Sequence, residues 1–261
     1  MAYIPQITEA ARDYHERMFP GYASDFIRTD PEFIERFDNF AFDEVRNAPG
    51  NGGGDLPDRT RFIVWLATLL GCQGIDEYEA MLPAALRMGV TPVEAKEIVY
   101  QAVDYLGIGR VFPFLKATNR VLEAQGIELP LPNQATTDPT EESRMQGGRR
   151  TQVEIFGESM ADFAESGPEY RRHINKWLVD NCFGDFYTRG GLTLAERELI
   201  TFCFLSAQGG CEPQLTSHVA ANLRVGNDFD FLVKVVSQCV PFIGYPRSLN
   251  ALSCVEKAAG K

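Results

Sequence analysis

The sequence predicts an all-α protein built from two tandem copies of one helical bundle domain. Three observations carry that prediction: an internal repeat, a run of capped helical segments in each copy, and the lack of any sustained period-two alternation between turn signals. The chain has 261 residues, of which 44% are hydrophobic and 23% charged. That is the composition of a globular protein with a sizeable core, and the length allows one or two domains. Lys and Arg number 25 against 36 Asp and Glu, for a net charge of −11. A chain this acidic lacks the basic stripe that nucleic acid or an anionic membrane surface selects.

The repeat has an offset of 137 residues. Residues 81–116 fall on 218–253 with ten of 36 positions identical, including Leu86/Leu223, Gly89/Gly226, Gln101/Gln238, Gly107/Gly244 and Arg110/Arg247. Average residue usage would give about two such identities by chance. Residues 19–33 fall on 156–170 at the same offset. The first copy is therefore placed at 1–137 and the second at 138–261. Between them residues 128–148, rich in Pro, Thr, Gln and charge, read as a linker.

Each copy reads as four helices in the same order. In the first they are Asp58–Leu70, Asp76–Met88, a segment opened by Thr91 with Pro92 and Glu94 behind it, and Arg110–Gln125. In the second, Thr193 with Glu196 three residues on forms a capping box before AERELITFCFLSA, which Gly209-Gly210 ends. Cys211–Val225, Asp228–Phe242 and Tyr245–Ala259 follow. Gly89 and Gly226 occupy the same slot as helix stops.

Few residues in the chain carry chemistry. There are three histidines and six cysteines, and no CxxC pair for a zinc ribbon or a dithiol redox motif. Cys211, Gln214 and His218 share one helix face at i, i+3 and i+7. Glu198 lies on the preceding helix, and an antiparallel hairpin brings it to the height of His218. In the first copy the same slots hold Gly74, Glu77, Met81 and Phe62. Packing residues are kept while thiol, imidazole and carboxylate are lost together. This places a candidate site in the second copy and leaves open whether Glu77 contributes across an interface. Arg247 is a candidate clamp for a substrate carboxylate, although Arg110 fills its slot in the copy without the site.

Around these residues the chain resembles the carboxymuconolactone decarboxylase and alkylhydroperoxidase-D-like family. The stretches concerned are RELITFCFLSAQGGCEPQLTSHVAANLRVGN with VSQCVPFIGYPRSLNAL, and RTRFIVWLATLLG with AALRMGVTPVEAKEIVYQAVDYLGIGR. The resemblance implies an all-α fold and homo-oligomers, here a homotrimer supplying six repeat units. It implies decarboxylation of a small cyclic acid, or thiol-based peroxide reduction. Glu198, Cys211 and His218 match the peroxidase pattern, but Gln214 stands where its second cysteine belongs. The decarboxylase pattern has Glu four residues before the His, and Gln214 takes that place too. The expected activity is cofactor-free acid–base decarboxylation, with His218 as acid, Gln214 on the developing oxyanion and no metal. The alternatives are peroxide reduction through Cys211 and a non-catalytic assembly or binding module. The N-terminus lacks the basic and apolar regions of a signal peptide, and the longest apolar run, Phe62–Cys72, is half a membrane span. The expected location is cytoplasmic.

Overall fold

The computed structural model describes residues 3–261; Met1 and Ala2, the start of the first copy as delimited above, lie outside the described residues. Every regular element among the described residues is helical. The first copy contains α1 (Glu9–Met18), α2 (Phe26–Thr29), α3 (Pro31–Asn39), a π-helical turn Phe40–Val45, α4 (Asp58–Gly71), α5 (Ile75–Arg87), α6 (Pro92–Leu106) and α7 (Ile108–Ala124). The second contains α8 (Glu141–Phe156), α9 (Glu169–Trp177), a π-helical segment Leu178–Tyr187, α10 (Leu194–Gln208), α11 (Glu212–Arg224) and α12 (Phe229–Ala259). Within α12 the backbone breaks at Gly244, with φ 71°. Its counterpart Gly107 separates α6 from α7 at φ 77°.

The predicted caps form. The Thr91 and Thr193 side chains accept from the backbone N–H groups of Glu94 and Glu196, whose carboxylates accept in return. The Asp228 carboxylate accepts from the Phe231 N–H at 2.8 Å. The linker reading needs correction. Its second half is helix, because Thr140 caps α8 and the helix runs on through Gly147 and Gly148. Those two glycines, at the end of the stretch read as a linker, serve a close crossing. A Cβ on Gly148 would stand 1.9 Å from the Val179 carbonyl oxygen.

The two copies share one core. Its main body of buried apolar side chains runs from Ala11 to Val255. The pairings across it are reciprocal: α4 crosses α10, α4 of the first copy packs on α12 of the second, and α10 of the second packs on α6 of the first. The buried polar contacts repeat the exchange. Arg61 on α4 donates to Gln238 on α12 at 2.9 Å, and Arg197 on α10 donates to Gln101 on α6 at 2.9 Å. Each guanidinium also has a carboxylate, Asp58 for Arg61 at 2.8 Å and Glu97 for Arg197 at 3.1 Å. Removing one partner from such a pair costs about 3–5 kcal/mol, because a charge is left buried alone. These contacts lock one copy to the other.

Candidate active site

The α10–α11 hairpin does what its sequence predicts. The two helices run back to back, and His218 Nδ1 lies 2.8 Å from Glu198 Oε2. Glu198 is fully buried, and the His218 side chain is 12% exposed. The rings of Tyr105 and Phe156 stand edge-on to the imidazole, each 5.4 Å from it. Asn222, one turn beyond His218, donates to the carbonyls of Glu198 and His218 and so ties the two helices together at this level.

Behind the carboxylate runs a directed series of hydroxyls. Tyr187 O–H donates to Glu198 Oε1 at 2.9 Å. Its single proton being committed, the Tyr187 oxygen accepts from Thr201 and from Tyr105, each at 2.7 Å. Gln101 Nε2 in turn donates to Thr201 Oγ1 at 2.9 Å. Burial pushes the phenols of Tyr105 and Tyr187 well above their usual range, so both stay protonated donors. Glu198 thus accepts on both oxygens. It holds the Nδ1–H tautomer of His218 and leaves Nε2 as the open nitrogen, an assignment made from the hydrogen-bond network. An imidazole oriented by a buried carboxylate is an acid–base device, because the carboxylate stabilises the imidazolium at the moment the proton is carried.

Two of these groups come from the first copy. Tyr105 and Gln101 lie on α6, so the site of the second copy is completed by its neighbour. The equivalent place in the first copy is filled with hydrocarbon. Phe62 replaces Glu198, Trp65 replaces Thr201, Met81 replaces His218, and Phe242 from the second copy stands where Tyr105 would. Phe62, Trp65 and Met81 are at most 1% exposed. Trp65 packs against Phe62 at 4.9 Å and against Phe242 at 5.3 Å.

The other residues singled out from the sequence do not join the pair. Cys211 caps the start of α11, where its thiol donates to the Leu205 carbonyl and its sulfur accepts from Gln208, each at 3.5 Å. Seven residues of helix, about 10 Å, separate it from His218. Gln214 is exposed on α11. Arg247 is placed away from the site as well: its guanidinium donates to the Ala207 carbonyl at the far end of α10. Nine residues of helix, roughly 13 Å, lie between that carbonyl and Glu198. Arg247 therefore closes the C-terminal end of α10, where unpaired carbonyls attract a cation. Glu77 stands near Asp38 in the first copy, and burial pushes its carboxyl up. No group of three His, Cys, Asp or Glu able to hold a metal is found among the described residues.

Sequence reading missed Tyr187, Thr201, Tyr105 and Phe156. Thr201 carried a signal, three residues from Glu198 on one helix face. Tyr105 carried another, as the polar member of the Tyr105/Phe242 pair in the repeat. Tyr187 and Phe156 come from segments whose geometry the pattern did not reveal. A cleft of ≈ 460 Å³ lies elsewhere, between α6, α7 and the connector after α7. The reactive geometry, not the cavity size, marks the candidate site.

The chain matches the family model for the carboxymuconolactone decarboxylase family twice, over residues 31–120 and 173–257. The first match runs from the start of α3 into α7, and the second from within α9 into α12. No curated protein matches the chain. Among the described residues no helix is long and apolar enough to cross a membrane.

Proposed function

The chain belongs to the carboxymuconolactone decarboxylase family, and from that premise we propose that it is a cofactor-free decarboxylase of a small cyclic acid or lactone, with His218 carrying the proton. The observation behind this reading is the buried Glu198–His218 pair with Tyr187 on the second carboxylate oxygen, set apart from the only half-buried thiol on that hairpin. A peroxide-reducing thiolate needs its base within reach, and the partners of Cys211 are Leu205 and Gln208 instead.

In such a reaction the substrate C–C bond breaks, carbon dioxide leaves, and the electron pair passes into the unsaturated lactone as a dienolate. His218, as imidazolium, delivers its Nε2 proton to the carbanionic carbon. Glu198 stabilises the imidazolium before transfer, and Tyr187 and His218 together keep the carboxylate from rotating. Gln214, one turn before His218 on α11, is the side chain proposed to donate to the developing oxyanion. Tyr105 and Phe156 form the apolar walls of the imidazole's side of the site and restrict water there. Arg247 is not assigned a substrate contact in this mechanism.

We further propose a cytoplasmic homotrimer of these chains. Equivalent positions of the two copies expose large apolar side chains, Phe33 with Tyr170, Ile108 with Tyr245, and Phe112 with Leu249. A surface repeated in both copies supports an assembly in which both use it alike.

The test is turnover of carboxymuconolactone by the purified protein, followed by loss of the lactone carboxylate. His218→Ala should lower kcat about 10²–10⁴-fold. Met81→Leu, at the same slot in the first copy, should leave it within about twofold of the parent rate, since a volume-conserving core change is tolerated. Equal activity of the parent and His218→Ala would overturn the assignment.

A further inference from the structure

Among the described residues three cationic side chains are more than nine-tenths buried: Arg61, Arg197 and Lys96, at 0, 1 and 8% exposed. Lysine and arginine are almost never buried this far without a counter-charge. Both arginines obey the rule, with Asp58 and Glu97 as their carboxylates. Lys96 does not. Its ammonium donates to the Asn119 side-chain oxygen, a neutral acceptor, and no carboxylate among the described residues comes within ion-pair distance. An ammonium carries three donors, so at least two remain for something else.

Lys96 lines the cleft of ≈ 460 Å³ between α6, α7 and the connector, a volume within the ordinary range for a small-molecule site. Two cations stand near the ring of Tyr100 there, Lys96 Nζ at 5.5 Å and the Arg189 guanidinium at 5.3 Å from its centre. Arg189 and Arg197 share the single carboxylate of Glu97. Glu123 is the remaining acid of the lining. The charges lining the cleft balance, Lys96 and Arg189 against Glu97 and Glu123, and Arg197, paired with Glu97 outside the lining, adds one positive charge in a chain of net charge −11. Leu129, Pro130 and Leu131 of the connector form an apolar wall. The second copy has no such arrangement, because Val233 and Ser237 stand at the slots of Lys96 and Tyr100.

We propose that this cleft is a binding site for a small organic carboxylate with an apolar body. Its anionic end lies on the Lys96 ammonium, and its body lies between the Tyr100 ring and the connector. The carboxylate supplies the counter-charge that the chain withholds from Lys96. Burial holds this ammonium below its usual value, with Glu123 opposing only in part, as expected of a cation whose partner is external. The site is separate from Glu198 and His218 and does not depend on the reaction proposed for them.

Calorimetric titration of the full chain with benzoate and with benzamide, its neutral counterpart, tests the proposal at constant ionic strength. Benzoate should bind saturably with a Kd of about 1 mM or below, and benzamide should not bind. Lys96→Met should weaken benzoate roughly ten- to hundredfold, the worth of a charge-assisted hydrogen bond. Glu123→Gln, which removes the nearby negative charge and leaves Lys96 in place, should tighten it. This second variant decides the matter if Lys96→Met fails to fold. Absence of benzoate binding up to about 10 mM, equal binding of benzamide, or no response to either substitution would overturn the proposal.

Discussion

Gly148→Ala is a substitution whose sign depends on one contact. In an exposed helix, replacing Gly by Ala stabilises by about 1 kcal/mol. Gly148 sits in the middle of α8, and its missing Cβ would lie 1.9 Å from the Val179 carbonyl oxygen and 3.0 Å from the Gly184 nitrogen. Gly184 answers from the other side, where a Cβ would be 2.3 Å from the Arg144 carbonyl oxygen. A carbon and a carbonyl oxygen need about 3.3 Å, so α8 and the π-helical segment must part by more than about 1 Å. Both are backbone atoms, and no rotamer change relieves the clash. Overpacking of this kind costs about 1–3 kcal/mol or more, which outweighs the helix-propensity gain. For a clash between backbone atoms the upper end applies, and about 3 kcal/mol less the gain of about 1 kcal/mol leaves a net loss of about 2 kcal/mol. With a urea slope of about 2 kcal/mol/M the unfolding midpoint falls by about 1 M. Gly109→Ala is the control, since nothing lies within 4 Å of its Cβ position; its midpoint should hold or rise. Urea unfolding followed by circular dichroism measures both. A Gly148→Ala midpoint equal to or above that of the parent would refute the close-crossing account. The same displacement should carry Tyr187 off Glu198, so activity should fall further than stability alone explains.

Cys211 should be the first cysteine alkylated by a limiting thiol reagent at pH 7, as peptide mapping reads it. Cys182, Cys203, Cys239 and Cys254 are buried, and burial pushes up the thiol of half-buried Cys72; uniform labelling of all six would count against this. Cys211→Ser should keep decarboxylase turnover, whereas loss equal to that of His218→Ala would restore a thiol mechanism. Asp104 predicts a pH dependence of stability. Burial pushes its carboxyl up to about 8, and its Oδ2 has no hydrogen-bond partner. The folded chain therefore binds a proton that the unfolded chain has released, and stability falls as pH rises from about 4 to about 8. Asp104→Asn should remove that decline from the urea midpoints between those values; an unchanged pH profile would show that Asp104 does not cause it.

The helices nearest the candidate site were legible because their local chemistry is redundant. Thr193 and Glu196, Thr91 and Glu94, and Asp228 each announce a helix start, and the 137-residue repeat checks one copy against the other. Glu198 and His218 were legible for a simpler reason: both lie on one hairpin, where rise per residue fixes relative height. Arg247 shows the limit. Its place near the motif in sequence said nothing of direction, and the free carbonyl of Ala207 drew its guanidinium to the end of α10. The stretch ending at Gly147 and Gly148 was read as a linker from its polar composition, while glycine under another backbone signals contact. Only the partner segment, some thirty residues away, distinguishes the two. Tyr187 was hidden for the same reason, since the π-helical segment that carries it has no simple spacing from Glu198.

The reciprocal packing of α4 on α10 bears on what a covalently joined pair permits. In a dimer of identical chains every substitution is made twice, once at each equivalent slot. A residue that improves one site as a neighbour must also serve in the other as a member. Joining the copies removes that constraint. Position 105 is free to be Tyr, shaping the His218 site from outside, while its counterpart 242 is Phe, filling the place opposite Trp65. Position 62 is likewise hydrocarbon where 198 is carboxylate. The first copy thereby lacks a Glu–His pair of its own yet still lines the candidate site through Tyr105: it has become a scaffold wall for its twin. Any attempt to improve the site by mutation has two independent sets of positions to work with, one on each side of the same imidazole.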